Sequence, residues 1–125
     1  MIRFFVLLFL TACIGASPAK ALNGNQLLIS CDSLLQHVKQ MGSKDRVQFP
    51  PEREMCWFYM DALQNAFMIA DEQDRPVLRV CLPSSVTQLH LIRVYVNYAR
   101  ENPAELHKIG AVVAHAAIRK AFPCP

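Results

Sequence analysis

An all-α, disulfide-linked single domain is the fold class that this sequence predicts. Three observations carry it. The chain has 125 residues, room for one domain. Its apolar residues recur at helical spacing in four segments divided by glycine, proline and polar runs. Its cysteines fall from five to four, an even number, once an N-terminal export segment is set aside.

That segment reads from the first residue. Met1, Ile2 and Arg3 give a short positive start, an apolar run begins at Phe4, and Ala19 and Ala21 offer the small residues that a signal peptidase reads. The apolar run is too short to span a hydrocarbon core of about 30 Å. The expected division is therefore a signal peptide over 1–21 and one helical domain over 22–125. A competing cleavage is visible at Leu10, Thr11, Ala12 and Cys13, which resembles a lipoprotein processing box. It would acylate Cys13 and tether the same domain to a membrane.

Cleavage after Ala21 removes Arg3 and Lys20, so the 13 basic residues become 11 against 10 acidic ones. No basic tract remains to attract nucleic acid. The cysteines left are Cys31, Cys56, Cys81 and Cys124, separated by 25, 25 and 43 residues. These spacings match no zinc or CxxC redox motif, and in an oxidising compartment they read as two bridges.

The first helix follows Asn23, which stands three residues before Gln26 in capping-box spacing. Leu27, Cys31, Leu34, Val38 and Met41 mark its buried face, widened by Leu28 and Leu35, and Gly42 stops it. The polar connection over 42–51 ends in Pro50 and Pro51, which suit a helix entry. The second helix is expected to bury Cys56, Tyr59, Leu63, Ala66 and Ala70, flanked by Met55, Met60, Ala62 and Phe67. The third should start after Pro83 with Ser85 and Gln88 as its capping pair, and bury Val86, Leu89, Ile92 or Arg93, Val96 and Ala99. Its β-branched residues also admit a strand. Asn102, Pro103, Ala104 and Glu105 give the strongest local start signal, a cap, a proline at N1 and an acid at N3. The last helix would then carry Leu106, Ile109, Val113 and Ala116 or Ala117.

Four helices with short links imply an up-down-up-down array or a close variant. In such an array Cys81, before the third helix, and Cys124, after the fourth, lie at one end. Cys31 and Cys56 face one another across the first hairpin. The favoured pairing is Cys31–Cys56 and Cys81–Cys124.

The chain at this point resembles the Rap1a/Tai family of periplasmic immunity proteins from type VI secretion systems. The resemblance rests on Gly24, Asn25, Gln26 and Leu27 with Cys31; on Cys56 with Tyr59; on Cys81, Leu82 and Pro83 followed by Val86, Thr87 and Gln88; on the stretch from Tyr98 to Asn102 and Pro103; and on Ala121, Phe122, Pro123 and Cys124. It implies a compact helical protein, often a homodimer, that binds a peptidoglycan amidase and blocks its active site. One departure stands out: where the family's second helix has Cys-x-Gly-Tyr-x-x-Gly, this chain has Phe58 and Ala62 at the glycine positions.

Trp57, Phe58 and Tyr59 are consecutive, and consecutive helical positions cannot all face one core. With Tyr59 on the buried stripe, at least one of Trp57 and Phe58 should point outward, either as an interface anchor or folded over the core's edge. The connection over 42–51 is either a solvated linker or an inhibitory loop. In the second reading Lys44, Asp45, Arg46 and Gln48 supply polar contacts and Phe49 an apolar anchor. The segment over 71–75 is the next candidate.

His37, His90, His107 and His115 show no i,i+4 pair and no triad spacing, and the two bridges leave no thiol as nucleophile. Each histidine reads as a surface or partly packed side chain, and Asp61 as a solvated acid or a partner of Arg53 or Arg93. No catalytic residue, metal or cofactor is expected. The absence of a reactive constellation points to binding, and the resemblance implies what is bound: the leading function is a periplasmic protein that occludes an amidase effector. The alternative is an acid-stress chaperone, in which His90 and His107 would gain charge as pH falls.

Overall fold

The computed structural model describes residues 20–41, 51–71 and 78–125. Those residues form four helices: α1 (Gly24–Met41), α2 (Pro51–Asp71), α3 (Gln88–Glu101) and α4 (Gly110–Ala121), with a 3-10 turn at Pro103–Glu105. α1 packs against the other three, and α3 against α1, α2 and α4. The fold is all-α, and two disulfides close it.

α1 begins as its sequence requires. Asn23 Oδ1 accepts from Gln26 N at 2.9 Å while Gln26 Oε1 accepts from Asn23 N at 3.1 Å, which satisfies two end amides reciprocally. Its remaining first amides find partners elsewhere in the fold. Gly24 N donates to Lys108 O (2.9 Å) and Asn25 N to Leu106 O (3.0 Å).

That arrangement explains why no helix starts at Asn102. A helix through 103–110 would commit the Leu106 and Lys108 carbonyls to amides four residues on; here they cap α1 instead. Asn102 turns its Nδ2 back onto Tyr98 O (2.8 Å) and closes α3. The chain makes the 3-10 turn, and α4 starts at Gly110, whose amide donates to Leu22 O at 2.7 Å. Ile109 is consequently half-exposed, and the last helix buries Val113, Ala114, Ala117 and Ile118.

The start of α3 also differs from the expectation. Val86 N donates to Pro83 O in a tight turn that consumes both serines. Thr87, two residues after Ser85, becomes the cap and accepts from His90 N at 3.2 Å. Gln88 donates its side-chain amide to Trp57 O, which ties the start of α3 to α2. No strand forms there: Leu91, Ile92, Tyr95, Val96 and Ala99 are buried at helical spacing, and Arg93 is exposed.

α2 is rotated by about 50°, half a residue, relative to the stripe read from its sequence. Cys56, Met60 and Phe67 are buried, with Leu63 partly so, whereas Tyr59 is half-buried and Ala66 exposed. Cys31, fully buried on α1, joins Cys56 with a Cα–Cα distance of 5.0 Å, and Ser30 Oγ accepts from Cys56 N at 3.2 Å. Met60, Leu63 and Phe67 lie within about 40° of Cys56 around the helix and share its side. Cys81–Cys124 closes the opposite pair of elements, beside the Val80–Pro123 bridge and the bond from Cys81 N to Phe122 O (3.0 Å).

Candidate partner-binding surfaces

The cysteines and histidines of the described domain are mostly engaged in structure. All four cysteines are in bridges. His115 Nε2 lies 2.8 Å from Leu78 O and its ring packs on Phe67, with centroids 6.0 Å apart; His90 meets Phe122 edge-on at 5.8 Å. Among the described residues no group of three or more His, Cys, Asp or Glu side chains is placed to hold a metal ion.

Burial dominates the chemistry of the two inward tyrosines. Tyr95 is fully buried, and burial raises its hydroxyl well above the ordinary value of 10.0, helped by the neighbouring Tyr59. Burial also raises Tyr59, partly offset by a hydrogen bond from the Ala111 backbone. Both phenols act as fixed neutral groups near neutral pH rather than as acids or bases.

The outer surface is more telling. Phe58 is 64% exposed, while its neighbour Trp57 is partly buried and packs against the core. Of the two aromatics expected to compete for the outside, Phe58 takes it. The phenyl ring at a position where the resembling family has glycine therefore needs no room in the interior, and neither does the exposed Ala62.

The polar loop residues Lys44, Asp45, Arg46, Gln48 and Phe49 lie outside the described residues, as does the segment over 72–75. The flanks of the loop are fixed by Met41 at the end of α1 and Pro51 at the start of α2. Asp61 pairs with neither arginine: Asn65 Nδ2 donates to it at 3.3 Å, and Arg53 Nε donates to Ser33 Oγ at 3.2 Å.

One feature was missed from sequence. Between α1 and α3 runs an open groove of about 340 Å³, with Asp32, Lys39, Arg93, Asn97 and Arg100 among its walls. Arg100 forms an ion pair with Asp32, which is itself hydrogen-bonded by Gln36. Lys39 and Arg93 are exposed and give the groove a basic balance. The seven-residue spacing of Arg93 and Arg100 on one helical face was the available signal, but nothing local shows that α1 lies opposite.

A family model described as Rap1a immunity proteins matches residues 23–124, nearly all of the domain. No curated protein and no solved structure matches the chain.

Proposed function

The chain belongs to the Rap1a immunity protein family, and from that membership we propose that it is a periplasmic immunity protein that binds a peptidoglycan amidase effector of a type VI secretion system and occludes its active site. The single observation carrying this reading is the family match over 23–124. The structure supports the binding character: a covalently braced scaffold with an exposed aromatic on α2 and a basic groove between α1 and α3.

In this reading the protein does no chemistry. It inhibits by shape, with Lys44, Asp45, Arg46 and Gln48 giving hydrogen bonds at the mouth of the amidase cleft and Phe49 filling it. Pre-organisation matters here, because ordering a loop on binding costs affinity. The Cys31–Cys56 bridge ties together the two helices from which the loop springs, and so holds its ends at a fixed separation. Residues 1–21 direct export, and the two bridges suit an oxidising compartment. A second copy of the chain is a further partner. The acid-stress chaperone reading gains no support, since the two histidines it invokes, His90 and His107, are exposed and bury no ionisable seam.

Gene neighbourhood and co-purification test the proposal. A small secreted Cys-His amidase encoded beside this gene, recovered with the tagged protein, is the expected result. Recovery of neither that amidase nor any other peptidoglycan hydrolase from an effector-producing strain would contradict it.

A further inference from the structure

The groove of about 340 Å³ between α1 and α3 carries charge that its own walls do not balance. Its floor is apolar: Val96 is buried, and Leu35 and Val38 are partly buried against the core. Three basic side chains line it, Lys39, Arg93 and Arg100, against one acid, Asp32. That acid is already committed, to Arg100 by an ion pair and to Gln36 by a hydrogen bond. Lys39 and Arg93 are exposed and make no ion pair among the described residues. With 11 basic residues against 10 acidic over 22–125, this local excess is no share of a general surplus.

The spacing of the cations and their exposure say what fits. Arg93 and Arg100 stand seven residues apart on α3, about 10 Å along its axis, and Arg100 is held by Asp32. Cations so distributed do not close on one small anion. An exposed ion pair is also worth at most about fivefold in affinity, so Lys39 and Arg93 together would retain a free anion only weakly. A segment of a protein that makes other contacts needs no more than this. Its carboxylates meet the basic walls, an apolar side chain between them meets the floor, and the opposite charges raise the rate of encounter. Lys39 stands three residues before Gly42, where the stretch proposed to enter the amidase cleft begins. A partner engaged by that stretch is therefore within reach of the groove.

We infer that the groove between α1 and α3 docks an extended acidic segment of the amidase, whose carboxylates Lys39 and Arg93 receive. This rests on the proposed immunity function and adds to it a contact separate from the one that fills the cleft.

The test uses the exported protein with its native bridges intact, and follows its association with the amidase by surface plasmon resonance at about 50 and about 500 mM salt. Association of the wild type should slow as salt rises. Lys39→Glu combined with Arg93→Glu should lower the association rate at low salt by at least about tenfold and remove most of its salt dependence, with an unchanged Tm. The same charge change outside the groove, Arg119→Glu combined with Lys120→Glu, should have a much smaller effect. Asp32→Asn, which releases Arg100, should speed association, a gain that a merely structural role for the ion pair would not produce. If the double reversal fails to fold, Lys39→Gln and Arg93→Gln read the same rates singly. Wild-type rates and salt dependence in the double reversal, with inhibition intact, overturn the groove and leave the immunity function standing. A wild type that neither binds nor inhibits the amidase overturns both. A double reversal that keeps its amidase rates but loses binding to phosphatidylglycerol vesicles gives the groove to a membrane surface and overturns the acidic segment as its occupant.

Discussion

The Tyr95 hydroxyl donates to the Gly24 carbonyl at 2.7 Å, across 71 residues of sequence, and so fastens the middle of α3 to the first turn of α1. The same turn of α1 receives the Leu106 and Lys108 carbonyls. Three segments distant in sequence thus meet at one glycine.

Tyr95→Phe should destabilise the fold by about 1 kcal/mol, since it removes one buried hydrogen bond. Its effect on alkaline stability runs the other way. Burial raises the Tyr95 hydroxyl, so above pH 10 the folded protein retains a proton that the unfolded chain releases. That stabilisation is complete below about pH 10 and is lost as pH rises, by about 1.4 kcal/mol per pH unit. Urea melts from pH 8 to 11 should show a shallower decline for Tyr95→Phe than for wild type; parallel declines would show that Tyr95 does not titrate as described.

Gly24→Ala should be costly for a steric reason. A Cβ there would stand 2.9 Å from Val113 Cγ2 and 3.1 Å from the Leu106 Cα. Val113 is buried, and the Leu106 backbone is held by Asn25, so neither yields freely. The expected loss is about 1–3 kcal/mol, measured by denaturant unfolding, against a near-neutral Ala66→Ser on the exposed side of α2.

Each bridge constrains the unfolded chain. Loops of 25 and 43 residues correspond to about 3.5 and 4 kcal/mol in the chain-entropy model. Small domains have only about 5–15 kcal/mol in total. Replacing both pairs with serine should leave the chain largely unfolded at 37 °C by circular dichroism. Replacing only Cys81 and Cys124 should leave it folded with a lowered Tm, because the buried Cys31–Cys56 link and its surrounding core remain.

Much of this architecture was readable from the residues, and the failures share one cause. The α1 cap at Asn23 and Gln26 depends on residues three apart, and Leu27, Cys31 and Leu34 on one period, so local spacing sufficed. Asn102, Pro103 and Glu105 carry an equally good local signal, yet the helix starts at Gly110, because carbonyls 106 and 108 are drawn to α1. The choice between the neighbours Tyr59 and Met60 on α2 was likewise made by packing against α1 and α3 and not by local spacing. The basic groove needs α1 and α3 side by side, which no window of sequence displays.

Substitutions in the loop over 42–50 should separate binding from folding. Phe49→Asp combined with Arg46→Glu should weaken binding of the amidase by at least about 30-fold, the loss typical of anchor residues, with Tm unchanged. Calorimetric titration beside a thermal melt checks both quantities. Undiminished affinity would remove this loop from the contact.

The most direct measurement is a titration of the neighbouring amidase, acting on purified peptidoglycan, with this protein. Hydrolysis should fall linearly to zero at one chain per amidase, and the protein alone should release no product. Full amidase activity in the presence of excess protein, or peptidoglycan cleavage by the protein itself, would contradict the account.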